Sequence, residues 1–381
     1  MKIVNVVNSF IGKTGNIGLR SSHIINELNQ QKINNFSYSR GVVRPFNKNN
    51  KNMGIFGHIP RILNAYRIYL DLWFNHRKFD IRLFDWFLKL RFKDVEDDNK
   101  IAHIWESSPN IIKNLKNKCW HIILDVPIAP TATAKNLVNK YKDSIVLHPH
   151  QYNSDLELES YQLADYIITP SNFVKDEIIK LDIDRKKILV VPFGVDVQTG
   201  YEKNFDKNYQ NDGIDFCFAG TVNKRKGVEF LLQAWDDKFF SNDRLHLCGR
   251  VYPEIKQLIK KYNFKNIITP GFIDTREYFK KCDVYVFPSL LEGSSKSIYE
   301  AMNSSLPCIV TCNSGSVIID GEDGFIINIA DPDSIKNRML AFKQDNSLIK
   351  KMGQFAFQNS KNYSWGVYAQ RVVNIYRNIK E

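Results

Sequence analysis

Two α/β domains on parallel sheets, joined by a polar linker, are the fold class that the sequence predicts. Three observations predict it. Short apolar runs alternate with helical patterns through most of the 381 residues. Several runs are continuous and β-branched, such as Ile188-Leu189-Val190-Val191, the composition of strands covered on both faces. One polar stretch, Val197 to Gly213, separates two such series, and a fresh apolar strand follows it. The length agrees, at about 150 residues per domain.

The elements follow in order. A first strand is expected at 2–8, then the spaced glycines Gly12, Gly15 and Gly18, then a helix over about 19–28. Further strands are expected at 101–105, 121–125, 145–148, 166–169 and 188–192. A linker near 196–213 precedes strands at 214–219, 245–248, 267–269, 284–287 and 308–311. Helical stripes lie between them: Val228, Leu231, Leu232 and Trp235 share one face, and Ile255, Leu258 and Ile259 another. A last helix is expected from Trp365 to Ile379.

Segment 55–93 stands apart. It carries ten aromatic residues and eight Lys or Arg against three Asp, read as two helices split near His76. One reading is a basic, aromatic face resting on an anionic membrane surface. The other is a helical hairpin packed on the first sheet with its cations reaching outward.

Composition excludes several classes. A hydrophobic fraction of 43% is that of a globular protein. With 19 Gly, 13 Pro and 6 Cys, neither a collagen-like chain nor a disulfide scaffold fits. No uncharged apolar run reaches the ~18 residues of a spanning helix. Met1 to Asn8 is too polar for a signal peptide and reads as the first strand. The expected location is therefore cytoplasmic, with 55–93 the candidate peripheral contact to the inner face of the membrane. The six cysteines are scattered without a zinc pattern and are expected to be buried, reduced thiols. Lys and Arg total 53 against 41 Asp and Glu, a net charge of +12. No nucleic-acid motif accompanies that charge, so phosphorylated substrates and membrane surfaces rank above nucleic acid as partners.

Three loops carry chemistry. Gly12, Gly15 and Gly18 follow the first strand at G-x-x-G-x-x-G spacing, which is neither a dinucleotide fingerprint nor a phosphate loop of the G-x-x-x-x-G-K-[ST] type. Glycines there let a backbone approach a ligand, and a plain turn would use them equally. Strand 214–219 runs into Gly220-Thr221-Val222-Asn223-Lys224-Arg225-Lys226-Gly227. Three adjacent cations thus stand at the carboxyl end of a parallel strand, where open α/β sheets bind ligands. A solvated basic loop is the plainer reading. Strand 284–287 is followed by Glu292-Gly293-Ser294-Ser295-Lys296-Ser297-Ile298-Tyr299-Glu300. Its Gly-Ser-Ser turn at a helix N-terminus is a cradle for a diphosphate. The flanking carboxylates suit paired hydroxyls. Ser297-x-x-Glu300 also fits a capping box, which needs no ligand.

These residues resemble the E-x7-E motif of retaining nucleotide-sugar glycosyltransferases, specifically glycosyltransferase family 4. The likeness extends over Ala164–Ser171, Pro192–Asp196, Arg225–Gly227, Gly271–Phe272, Pro288–Met302, Asp320–Phe325 and Tyr363–Trp365, and more weakly over 1–160. It implies the GT-B architecture, two Rossmann-like parallel-sheet domains facing across a cleft. The domains are 1–196 on the acceptor side, 197–363 binding the nucleotide sugar, and a helix 364–381 returning to the first domain. It implies Lys226 on the donor diphosphate, Glu300 on the ribose and Glu292 on the donor sugar. Gly293, Ser294, Ser295 and Lys296 fall near the phosphates, Gly271 and Phe272 beside the base, and Gly15 and Asn16 in the loop facing donor and acceptor. Asp125 takes the place of the aspartate in the family's His-Asp pair, with Leu124 where the His stands. His148 and His150 are candidate substitutes. Thr221 stands where the family has Arg, and Arg225 is the candidate replacement. Asp125, Glu292, Lys226 and Arg225 are thus the expected catalytic set.

The implied activity moves a sugar from a UDP- or GDP-sugar to a glycan or lipid-linked acceptor, in surface polysaccharide or glycan assembly. Neither a metal nor another cofactor is expected. A degenerate relative that binds without turnover, and a sugar epimerase or phosphorylase on the same fold, are the alternatives.

Overall fold

The computed structural model describes residues 1–12, 16–43, 49–59, 76–91, 100–105, 107–141, 154–197, 203, 205–236 and 238–379. The chain forms two compact units, one of 1–135, 147–191 and 365–381, the other of 136–146 and 192–364. Both are Rossmann-like.

The first unit holds a seven-stranded sheet of β1 (Lys2–Ile11), β2 (Asn34–Val42), β3 (Asn50–Asn52), β4 (Lys100–Ile104), β5 (His121–Asp125), β6 (Tyr166–Thr169) and β7 (Ile188–Val190), in the order β3-β2-β1-β4-β5-β6-β7. The second holds β8 (Asp215–Ala219), β9 (Arg244–Cys248), β10 (Ile267–Gly271), β11 (Val284–Phe287), β12 (Cys308–Thr311) and β13 (Gly324–Ile327), in the order β10-β9-β8-β11-β12-β13. Every pairing is parallel. Strand order reverses between β1 and β4 and again between β8 and β11. Such switch points open a crevice at the carboxyl ends of the strands.

Burial explains the second sheet. Every residue of β8, β11 and β12 is buried. Phe216 meets Trp235 and Phe240 edge-on, at 6.0 and 5.9 Å between ring centroids. The stripe expected on helix Val228–Ala234 is the one it buries, at Val228, Leu231 and Leu232. At the amino end of β8, Asp215 accepts bonds from Arg244 Nε at 2.5 Å and Lys207 Nζ at 2.6 Å, and pairs with His246 Nε2 at 2.8 Å. Burial opposes its charge. Arg244, His246 and Lys207 outweigh burial and hold the carboxyl well below the usual range.

Several expectations differ. Strands β2 and β3 were not anticipated, because Asn, Ser and Arg dominate them. Buried polar side chains there bond to other side chains, as in Asn50 Nδ2 to Ser37 Oγ at 2.8 Å and Arg40 Nε to Asn8 Oδ1 at 2.7 Å. Edge strand β13 was missed as well; it opens on a glycine and leaves Ile326 exposed. The strand expected at 145–148, with His148 and His150, lies outside the described residues. So does most of the first helix expected in 55–93. The second runs His76–Arg91 and buries Ile81, Phe84, Phe87 and Leu88 while exposing Trp86 and Leu90. Most of its described aromatic content is thus core. Cys217, Cys248, Cys282 and Cys308 are buried free thiols, but Cys119 and Cys312 are exposed, each in a turn just past an element. Among the described residues no helix is long and apolar enough to cross a membrane.

Candidate active site

At the switch point of the second unit, two loops interlock. The loop after β8 makes a 3-10 turn, Lys224–Lys226, capped by Asn223, whose Oδ1 accepts from the Lys226 N–H at 3.1 Å. Gly227 ends it with φ +72°, and a Cβ there would lie 1.9 Å from Pro288 O. Only glycine meets both demands. The loop after β11 returns to the same place: Leu290 N–H donates to Arg225 O at 3.0 Å, and Ser289 Oγ to the same oxygen at 3.3 Å. The last residue of β12 and the loop after it support it, through Thr311 Oγ1 to Ser289 O at 2.5 Å and Asn313 Nδ2 to Leu290 O at 2.9 Å.

Three expected residues are brought together by this weave. Glu292 Oε1 pairs with Lys226 Nζ at 2.5 Å and Arg225 Nη1 at 2.8 Å, and accepts from Ser289 Oγ at 3.3 Å. Arg225 also donates to Leu291 O at 2.6 Å. Lys226 Nζ lies 4.8 Å from the centroid of the Phe287 ring. The side chains of Lys226 and Glu292 are 13% and 12% exposed, and that of Arg225 is 31%. Burial lowers the Lys226 pKa, with Glu292 pulling the other way and Arg225 adding to the fall. Burial also opposes ionisation of Glu292, but Lys226 and then Arg225 outweigh it and hold its carboxyl below the usual range. The cluster therefore sets a lysine and an arginine against one carboxylate.

The helix Lys296–Asn303 starts immediately after the Gly-Ser-Ser turn, with Ser295 as N-cap residue. In its first turn the Ile298 N–H donates to Ser295 O at 3.1 Å, while the Lys296 and Ser297 N–H groups have no intrahelical acceptor. Ser297 is consequently the second helical residue, so the capping box with Glu300 does not form. Ser297 Oγ instead meets Tyr285 OH at 2.7 Å and Ser295 Oγ at 3.0 Å. Ser294 Oγ lies 2.7 Å from Tyr299 OH, and Ser295 N–H donates to Ser314 O at 3.3 Å. Glu300 pairs with Lys296 at 3.0 Å, one helical turn back. It lines a small polar pocket with Asp196, Arg276, Asn303 and Ser304. Gly271 ends β10 with φ +77°, and Phe272 beside it is 88% exposed. A bare aromatic face there is open to stack on a planar ring.

Arg250 is a cation that sequence reasoning missed. It follows Gly249 at the carboxyl end of β9, beside Thr221, and its carbonyl accepts from Val222 N–H at 2.9 Å. Its position after a strand adjacent to β8 was the available signal. In the first unit, Gly15 lies outside the described residues and Asn16 begins helix Asn16–Gln30. Asp125 ends β5 with its side chain 1% exposed, paired with Arg20.

Residues 213–345 match the family model described as Glycosyl transferases group 1, and residues 101–199 the model described as Glycosyltransferase Family 4. An uncharacterized glycosyltransferase of Methanocaldococcus jannaschii is 29% identical over 57% of this chain and 61% of its own length. A UDP-Gal:alpha-D-GlcNAc-diphosphoundecaprenol alpha-1,3-galactosyltransferase of Escherichia coli is 28% identical over 51% of this chain and 55% of its own. The match thus spans little more than half the length of these curated relatives. In fold, the sucrose-phosphate synthase of Thermosynechococcus elongatus superposes with a TM-score of 0.70 at 16% identity, covering 99% of this chain and 98% of that one. The two matched segments take in more than half of the sequence, including the interlocked loops around Lys226 and Glu292. By these loops, its double Rossmann-like fold and both models, the chain belongs to glycosyltransferase family 4 of the GT-B fold.

Proposed function

We propose that the protein moves a sugar, with retention at the anomeric carbon, from a nucleoside diphosphate donor to a hydroxyl of a glycan or lipid-linked acceptor during surface polysaccharide or glycan assembly. A UDP- or GDP-sugar is the leading donor. The convergence of Lys226, Arg225 and Glu292 beside a helix N-terminus carries the reading. A diphosphate entering there competes with Glu292 for the two cations. Charge-assisted bonds to phosphate favour it, and the helix N-terminus adds to the attraction. Glu292, released from the pair, becomes an acceptor for donor sugar hydroxyls. Glu300 and its polar pocket take the ribose, and Phe272 the base.

Breaking the sugar–phosphate bond concentrates negative charge on the leaving diphosphate. Lys226 and Arg225 are fixed where that charge grows, so they stabilise the transition state more than the ground state. The acceptor oxygen forms the new bond to the anomeric carbon, and its proton passes to the leaving phosphate. The name of the Escherichia coli relative supports a UDP-linked donor and a lipid-linked acceptor.

A thermal-shift panel of UDP-, GDP-, ADP- and dTDP-sugars tests this. One base series is expected to raise the melting temperature, since ligand at about 100 times Kd adds about 2.7 kcal/mol. Glu300→Gln should lose most of that shift. A flat response to all four series refutes the donor assignment.

A further inference from the structure

One face of the first sheet carries polar side chains where a covered parallel sheet normally places apolar ones. Asn5 of β1 stands opposite His103 of β4. His103 stands opposite Ile123, two residues before Asp125 on β5. The pleat turns Asn5, His103 and Asp125 to the same side, and Trp105 lies two residues past His103. All four are buried. Two helices cover this face. From Asn16–Gln30, Arg20 bonds to Asp125 Oδ1, and its guanidinium lies 4.8 Å from the Trp105 ring. From Trp365–Asn378, Tyr376 OH reaches His103 Nδ1 at 2.6 Å. Among the described residues Asp125 Oδ2 and His103 Nε2 have no direct hydrogen bond, and they stand 3.7 Å apart. Burial lowers the His103 pKa, so the cation that answers Asp125 is Arg20.

We infer that Asp125 is a positioning residue. It holds Arg20, and through Arg20 the first turns of the helix that leaves the glycine loop. The functional meaning of that loop rests on the glycosyl-transfer reading. The side chains of Arg20 and Asp125 are 2% and 1% exposed. The carboxylate therefore meets no substrate without abandoning its partner. The helix start is fixed at two points two residues apart. At Gly18 a Cβ would fall 2.0 Å from Phe10 O, so the helix presses directly on the end of β1. At Arg20 it is drawn towards β5. Gly12 N–H donates to Gly18 O at 3.0 Å, closing the turn on the same helix. The ion pair thus sets where Gly12 and the first turns of the helix stand, and pre-organisation of this kind governs how well a site meets its ligand.

Amide exchange in the full-length protein tests the inference, with Gly12 N–H as reporter. In Asp125→Asn and in Arg20→Met, Gly12 and the hydrogen-bonded amides from Arg20 to His23 are expected to exchange at least about tenfold faster. Exchange in β4, β5 and the second unit should stay within about twofold. Arg20→Lys, which keeps the charge with less reach, should fall between. Arg20→Met/Asp125→Asn should melt no lower than the worse single variant, because a buried pair is costlier broken than removed. With the donor found by thermal shift, donor hydrolysis in Asp125→Asn should lose kcat at unchanged donor KM. Unchanged Gly12 exchange in a folded Asp125→Asn overturns the inference. So does uniform acceleration across the first sheet, the mark of a merely structural role. A wild type that binds no nucleoside diphosphate would instead defeat the glycosyl-transfer reading, and the exchange result would stand apart from it.

Discussion

Lys226→Ala is expected to weaken nucleoside diphosphate binding at least about 100-fold, or about 2.7 kcal/mol. Two effects add. The variant loses a charge-assisted bond to phosphate in a nearly buried site, of the kind worth about 1.5–3 kcal/mol. It also leaves Glu292 with Arg225 alone, so more of the carboxylate's charge faces the incoming phosphates. Turnover should fall further than affinity, since fixed positive charge acts most on the leaving group; one such donor is typically worth about 3 kcal/mol. Glu292→Gln gives the contrasting result. It removes the anion that competes for Lys226 and Arg225, so nucleoside diphosphate should bind as well as to wild type or better, while sugar transfer collapses. Calorimetry paired with product release reads both. Equal affinity in Lys226→Ala and wild type would remove Lys226 from the site.

The second large effect is conformational. Gly227→Ala should destabilise the second unit by about 3 kcal/mol or more, among the larger effects of a single substitution. The added Cβ meets Pro288 O at 1.9 Å and Pro288 C at 2.7 Å, both backbone atoms. No rotamer change relieves that contact, and φ +72° adds the left-handed penalty of about 1–2 kcal/mol. Separation at this point also pulls the Lys226 turn away from the loop that carries Glu292. A melting temperature lower by roughly 6–12 °C is expected for a unit of this size. Gly321→Ala is the control. Its φ is +79°, yet nothing lies within 4 Å of the added carbon, so it bears the strain alone. Equal melting of the two variants would show that the close approach at Pro288 costs nothing.

The second unit was more legible in the sequence than the first, for a physical reason. Strands such as Val284–Phe287 and Cys308–Thr311 are buried on both faces and therefore read as unbroken apolar runs. Their carboxyl ends mark where ligand loops must lie, so Lys226 and Glu292 could be named before their contact was known. Strands β2 and β13 sit near or at a sheet edge, where the polar residues of β2 and the glycine and exposed Ile326 of β13 hide the pattern. Partnerships were harder to read than positions. A carboxylate ending β5 was visible at Asp125, but nothing local to it signals that Arg20, 105 residues away, would claim it. Arg20 looked like any helical arginine. Arg250 was missed because its loop carries one cation rather than three. The capping-box reading of Ser297 failed by two residues: a serine at 295 and one at 297 are equal candidates until the helix start is known.

The central claim is that the second unit grips a diphosphate between the Lys226 turn and the helix after Ser295. The most direct measurement is a calorimetric comparison of nucleoside diphosphate and nucleoside monophosphate of the same base on the wild-type protein. The account predicts one site per chain, with the diphosphate bound at least about tenfold more tightly, because only it spans both the cations and the helix N-terminus. Equal affinity for the two nucleotides, or no binding of any diphosphate, would contradict it.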